Sequence, residues 1–104
     1  MRTGFNVHPS KITEFIVSLP EVRECIVVGV PHPDEQMVPV AFVVLEKNAF
    51  ASDEEAKRYL NDVAIKNLSE TDIPMDWFFM DSLLRNMGGK IDSNKLVELC
   101  NVSY

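Results

Sequence analysis

Two runs rich in β-branched residues constrain this chain more than anything else in it. Residues 22–30 read VRECIVVGV and residues 38–45 read VPVAFVVL. From Cys25 to Val28 the first run is apolar without alternation. That is the pattern of a strand covered on both faces, since a strand with one wet face alternates. Between the runs lies PHPDEQM, whose prolines and acidic centre read as a loop. The strands are therefore expected to pair antiparallel through it. Pro39 has no N–H to give a ladder, so it should stand at the start of its strand or at an edge position.

Helices are expected to pack on this sheet. In HPSKITEFIVSL, residues 8–19, Pro9 suits the first helical position and Pro20 ends the segment. Ile12, Phe15, Ile16 and Leu19 fall on one face. Residues 52–68, SDEEAKRYLNDVAIKNL, carry the spacing of a capping box at Ser52 and Glu55. Asp53 and Glu54 favour the positive end of the helix. Ala56, Tyr59, Leu60, Val63, Ala64 and Leu68 form its apolar stripe, which reads as core. MDWFFM, residues 75–80, reads as a short aromatic strand entered through Pro74. Asp92 is placed to cap a last helix with Leu96 and Leu99 facing inward. The order is helix, strand, strand, helix, strand, turn, helix. It predicts an α+β fold: a small three-stranded sheet with flanking helices, a short N-terminal strand remnant and a C-terminal lysine-bearing turn. A chain of 104 residues suits a single domain over 1–104.

The composition narrows the partners. At 46% hydrophobic and 25% charged residues the chain reads as globular. A formal net charge of −6 without a basic cluster argues against nucleic acid or an anionic membrane as the main partner. No run approaches the ~18 apolar residues of a membrane span, and MRTGFNVHPSK lacks the apolar core of a signal peptide. The two cysteines, Cys25 and Cys100, lie far apart and read as free thiols, with Cys25 a small buried hydrophobe. A cytoplasmic location is expected.

One stretch remains: LLRNMGGKIDSNKL, residues 83–96. It is not a P-loop. That motif needs a glycine where Leu84 stands, and a Ser or Thr where Ile91 follows the lysine. There is no G-x-G-x-x-G and no G-x-S-x-G. His8 and His32 sit in separate segments and the cysteines lack ligand spacing, so no metal site is expected. Asp34 and Glu35 read as a solvated loop tip. What is left is Lys90 on Gly88 and Gly89, a mobile cation with three donors on a flexible turn. The residues leave two readings open: a solvated lysine in a tight turn, or a reactive one. A domain of this size has little volume for a deep pocket, so a reactive Lys90 would need the rest of its site from another domain.

Four stretches taken together resemble the small C-terminal domain of the adenylate-forming enzymes, which include acyl-CoA synthetases, the adenylation domains of nonribosomal peptide synthetases, and luciferases. GFNVHPSKI is similar to that family's G-x-x-V-x-P-x-E-I, with Lys11 at the usual acidic position. PEVRECIVVGVPHPDEQMVPVAFVVL is similar to its P-x-V-x-E block, and IPMDWFFMDSLLRNMGGKID to its G-K-containing end, with Leu84 at the usual proline. NKL follows where the family has a short basic or polar run. Leu84 should leave its loop less rigid, and Lys11 puts any salt bridge of the usual acid in doubt. The likeness spans about residues 3–99.

The resemblance implies a mobile lid domain of an ATP-dependent, AMP-forming carboxylate–CoA ligase. Lys90 falls on the family's catalytic lysine for acyl-adenylate formation, with Gly88 and Gly89 as the turn that supports it. Gly4 falls on the loop that approaches the thiol tunnel in the second half-reaction; a simple turn before a strand edge is its other reading. ATP, coenzyme A and Mg²⁺ are implied for the full enzyme, with none expected to be bound by this chain alone. The implied partners are a large N-terminal adenylation domain, a carboxylic acid, and coenzyme A or a carrier-protein pantetheine. That large domain, with its phosphate-binding loop, is absent from this sequence; the hinge would lie before residue 1, and the chain alone should be inactive. Two alternatives stay open: an adenylation domain loading an amino or aryl acid onto a carrier protein, and a stand-alone binding module without catalysis.

Overall fold

The β-branched runs form the expected hairpin. The computed structural model describes residues 9–34 and 37–102. β1 (Val22–Pro31) and β2 (Met37–Leu45) pair antiparallel, from Val22 opposite Leu45 to Pro31 opposite Met37. β3 (Asp76–Phe79) then pairs parallel with β2, giving, among the described residues, a three-stranded mixed sheet in the order β1-β2-β3. Pro39 is the third residue of the central strand, inside the expected run. Pairing of β2 with β3 begins only at Val40, so the missing N–H interrupts no ladder bond on that side. The Pro39 carbonyl instead accepts from Met75 N–H at 2.8 Å.

Among the described residues three α-helices flank the sheet: α1 (Pro9–Val17), α2 (Asp53–Asn67) and α3 (Ser93–Leu99). Ser52 caps α2, its hydroxyl accepting from Glu55 N–H at 3.2 Å. The Glu55 carboxylate reaches back one residue further than in a standard capping box, to Ala51 N–H at 3.1 Å. Asp92 caps α3, accepting from Lys95 N–H at 3.1 Å. Past the Cys100 cap of α3, Asn101 has φ of 52° and lets Val102 N–H reach back to the Val97 carbonyl at 3.1 Å.

Strand alternation sorts the core into two. On one face Cys25, Val27, Ala41, Val43 and Trp77 meet Ile12 and Ile16 of α1 and Leu60 and Ala64 of α2. On the other, Val30, Val38, Val40, Phe42 and Val44 meet Leu83 and Leu96. Phe42 stacks on Phe78 with ring centroids 5.3 Å apart. The unbroken apolar runs are thus strands covered on both sides, as their lack of alternation predicts.

Two expectations need correction or bounding. Leu99 does not face inward: it is 63% exposed, because the face of α3 that meets the core is centred between Leu96, Val97 and Cys100 and leaves Leu99 beyond its edge. The N-terminal strand remnant lies outside the described residues. Among the described residues no helix is long and apolar enough to cross a membrane.

Candidate functional site

Leu83 leaves the core after β3, and the chain does not re-enter it fully until Leu96. Between them it folds into a small hairpin. Arg85 and Ile91 form an antiparallel bridge, and Asp92 N–H donates to the Leu84 carbonyl at 2.8 Å. Asn86 N–H donates to the Lys90 carbonyl at 2.8 Å, and Gly89 N–H to the Asn86 carbonyl at 3.0 Å. Leu84, at the position where the resembling family has proline, packs against the α3-side core.

The turn asks different things of its two glycines. Gly89 has φ of +83°, a conformation that side chains with a Cβ rarely adopt. Gly88 does not share it; a Cβ there would meet only the Asn86 Oδ1 at 3.4 Å. Sequence reasoning treated the pair alike, and the left-handed requirement falls on Gly89.

Lys90 is exposed at the end of this turn and forms no ion pair among the described residues. Its backbone is held instead. Asn86 Oδ1 accepts from Gly88 N–H at 2.9 Å and from Lys90 N–H at 3.2 Å. The Arg85 guanidinium donates to the Gly89 carbonyl at 3.2 Å and to Glu24 Oε1 on β1 at 2.7 Å. Met87 stands fully exposed at the tip. Asn86, Arg85 and Glu24 were not singled out from the sequence. An Asn two residues before a glycine is a recognisable turn-former, since its side chain can accept from the backbone two residues on. The Glu24 contact comes from the other end of the chain and has no local signature.

Three open clefts of about 300, 370 and 440 Å³ lie along β3 and neighbouring elements. None of the three is lined by Lys90, Gly88 or Gly89. Among the described residues no group of three or more His, Cys, Asp and Glu could hold a metal. Gly4 and His8 lie outside the described residues, as does Glu35; Asp34 is exposed. Cys25 and Cys100 are free thiols, and burial pushes Cys25 up to about 12.

Lys90 thus stands on a hydrogen-bonded turn outside these three clefts. Residues 11–90 match the model of the AMP-binding enzyme C-terminal domain. The chain belongs to that family. It is 33% identical over 88 residues to a 2-succinylbenzoate–CoA ligase of Lactococcus lactis, covering 85% of this chain and 18% of the ligase. The ATP-bound structure of MatB from Rhodopseudomonas palustris superposes with a TM-score of 0.80 at 33% identity, covering 95% of this chain and 19% of MatB. An anthranilate CoA ligase, AuaEII, in complex with anthranoyl-AMP, superposes with a TM-score of 0.76 at 25% identity, covering 95% of this chain and 19% of that one. The chain thus spans about a fifth of the length of these relatives, and the family match ends on Lys90.

Proposed function

We propose that this chain is the C-terminal domain of an ATP-dependent, AMP-forming carboxylate–CoA ligase, and that Lys90 is its catalytic lysine. The observation that carries the reading is the presentation of Lys90. Its ammonium is exposed and without an ion pair among the described residues, while its backbone is fixed by the turn. The names of the relatives, which are CoA ligases, and the adenylate bound to one of them support the same chemistry.

In the first half-reaction a carboxylate attacks the α-phosphate of ATP, forming the acyl–O–P bond as pyrophosphate leaves. Two anions must approach, and unit charges ~4 Å apart repel by ~4 kcal/mol at an effective dielectric constant near 20. The Lys90 ammonium, with three donors, can touch an oxygen of each reactant. It offsets that repulsion and orients the attack. In the second half-reaction a thiol attacks the acyl carbon and AMP leaves. No anion then attacks phosphorus, so Lys90 is not required. ATP would meet this domain through Lys90, and the large N-terminal domain would hold the rest of the nucleotide, Mg²⁺ and the acid. The 104 residues alone would then be inactive.

The test is Lys90→Ala in the polypeptide that carries both domains. Acyl-adenylate formation should fall ~10²-fold or more, while thioester formation from supplied adenylate stays within a fewfold of wild type. Equal loss of both steps would remove Lys90 from the chemistry. Comparing free coenzyme A with a pantetheinylated carrier as acceptor checks the thiol. The Gly4 loop is assigned by the same reading to the approach of that thiol.

A further inference from the structure

We propose that Asn86 is the positioning residue for Lys90, shaping the turn so that the ammonium is delivered in one direction; this rests on the reading of Lys90 given above. Four hydrogen bonds run from this one residue to the segment 88–90. Its side-chain oxygen accepts from Gly88 N–H at 2.9 Å and Lys90 N–H at 3.2 Å. Its backbone N–H donates to the Lys90 carbonyl at 2.8 Å and its carbonyl accepts from Gly89 N–H at 3.0 Å. Asn86 is itself exposed, and so are Gly88, Gly89 and Lys90. Its side chain therefore does nothing for the core, and its hydrogen bonds serve the local shape alone.

The shape matters because a lysine stem is long and flexible. The volume its ammonium samples is set by where its Cα sits and which way its Cα–Cβ bond points. Asn86 holds the Lys90 N–H and carbonyl together and so fixes both. Arg85 holds the other side of the turn, donating to the Gly89 carbonyl while bridging to Glu24 of β1 at 2.7 Å. The lysine is then referenced to the sheet, although its ammonium forms no ion pair among the described residues. Loss of the Asn86 side chain leaves the Gly88 and Lys90 N–H groups to water and lets Gly88–Gly89 explore other backbone conformations.

The test measures both half-reactions in the full-length enzyme for Asn86→Ala, Asn86→Asp and Lys90→Ala. Asn86→Ala should slow adenylation ~10-fold, a misplacement effect, with thioester formation from supplied adenylate unchanged. Asn86→Asp keeps an acceptor oxygen at the same place and should recover most of that loss. Adenylation within twofold of wild type in Asn86→Ala would overturn the proposal. So would equal slowing of both steps, or an Asp variant no faster than Ala. Hydrogen exchange of the Lys90 amide in the 104-residue chain separates the two readings. A rise of ~10-fold in Asn86→Ala is expected from the lost acceptor. An unchanged rate overturns the positioning role whatever Lys90 does, whereas an unaffected Lys90→Ala enzyme overturns the catalytic reading of Lys90 itself.

Discussion

Leu96→Ala should detach α3 while leaving the hairpin of β1 and β2 folded. Leu96 is fully buried, the one residue of α3 that is. Removing three carbons forfeits ~2.4 kcal/mol of transfer free energy at ~0.8 per methylene, and the unfilled space brings the loss to ~3 kcal/mol. A helix of 7 residues has no stability of its own to set against that. Its other apolar contacts are partial: Val97 and Cys100 pack at the border of the core, and Leu99 is in solvent. The opposite face of the sheet, with Ile12, Ile16, Leu60 and Ala64, does not touch Leu96 and should be spared. Hydrogen exchange read by mass spectrometry is the assay. Peptides from residues 93–102 should exchange ~100-fold faster, since each 1.4 kcal/mol is a factor of ten in the opening equilibrium. Peptides from β2 should change far less. If β2 loses the same protection as α3, the helix opens only with the whole domain and the reasoning fails. If α3 keeps its protection, Leu96 is not its anchor.

Gly89→Ala and Gly88→Ala should differ. Nothing lies within 4 Å of a Cβ at Gly89, so the cost there is backbone strain alone at φ of +83°, worth ~1–2 kcal/mol; Gly88→Ala should be near neutral. Adenylation rates and Lys90 amide exchange in the two variants check this, and a Gly88→Ala effect as large as that of Gly89→Ala would contradict it. High pH should destabilise the domain through Cys25. Burial raises its pKa from 9.0 to about 12, so the unfolded thiol loses its proton first and stability falls as pH rises from 9 toward 12. Integrated over that window the loss approaches ~4 kcal/mol, with Tyr59 pulling the same way because desolvation and then Glu21 raise its phenol. Urea unfolding at pH 8 and pH 11 reads about two of those three pH units, ~2.7 kcal/mol. Cys25→Ala should flatten the difference, and an equal fall in that variant would clear Cys25.

Secondary structure was legible wherever one local rule dominated. The caps at Ser52 and Asp92 follow from short side chains that accept from backbone three residues on, and both form as read. The unbroken strands follow from burial on two faces. What could not be read was anything set by distant partners. The parallel pairing of β3 with β2 has no sequence signature, because a strand of 4 residues carries no direction in its pattern. Leu99 was misassigned because Val97 and Cys100, on the other side of Leu96, pack on the core and set the rotation of the helix, which spacing alone does not decide. At the site, Lys90 and its glycines were visible as residue types, but Asn86 became visible as a turn-builder only with the hydrogen bonds in place.

The bulge in β1 shows how the fold reaches the site. Strict alternation from Ile26 would put Glu24 and Val22 on the same face, toward α3 and the lysine turn. The register shifts between Val22 and Glu24, so Arg23 is an extra residue and the alternation slips by one. Val22 consequently joins Cys25 and Val27 in the core under α1 and α2. Glu24 stays on the face of Ile26 and Val28, where its carboxylate meets Arg85 at 2.7 Å. Without the slip, one of the two would be lost: either a valine would leave the core or the strut of the turn would point the wrong way. An exposed ion pair of this kind adds little stability, ~0–1 kcal/mol. Its effect lies in geometry, because Arg85 also holds the Gly89 carbonyl and so ties the residue before Lys90 to the edge of the sheet.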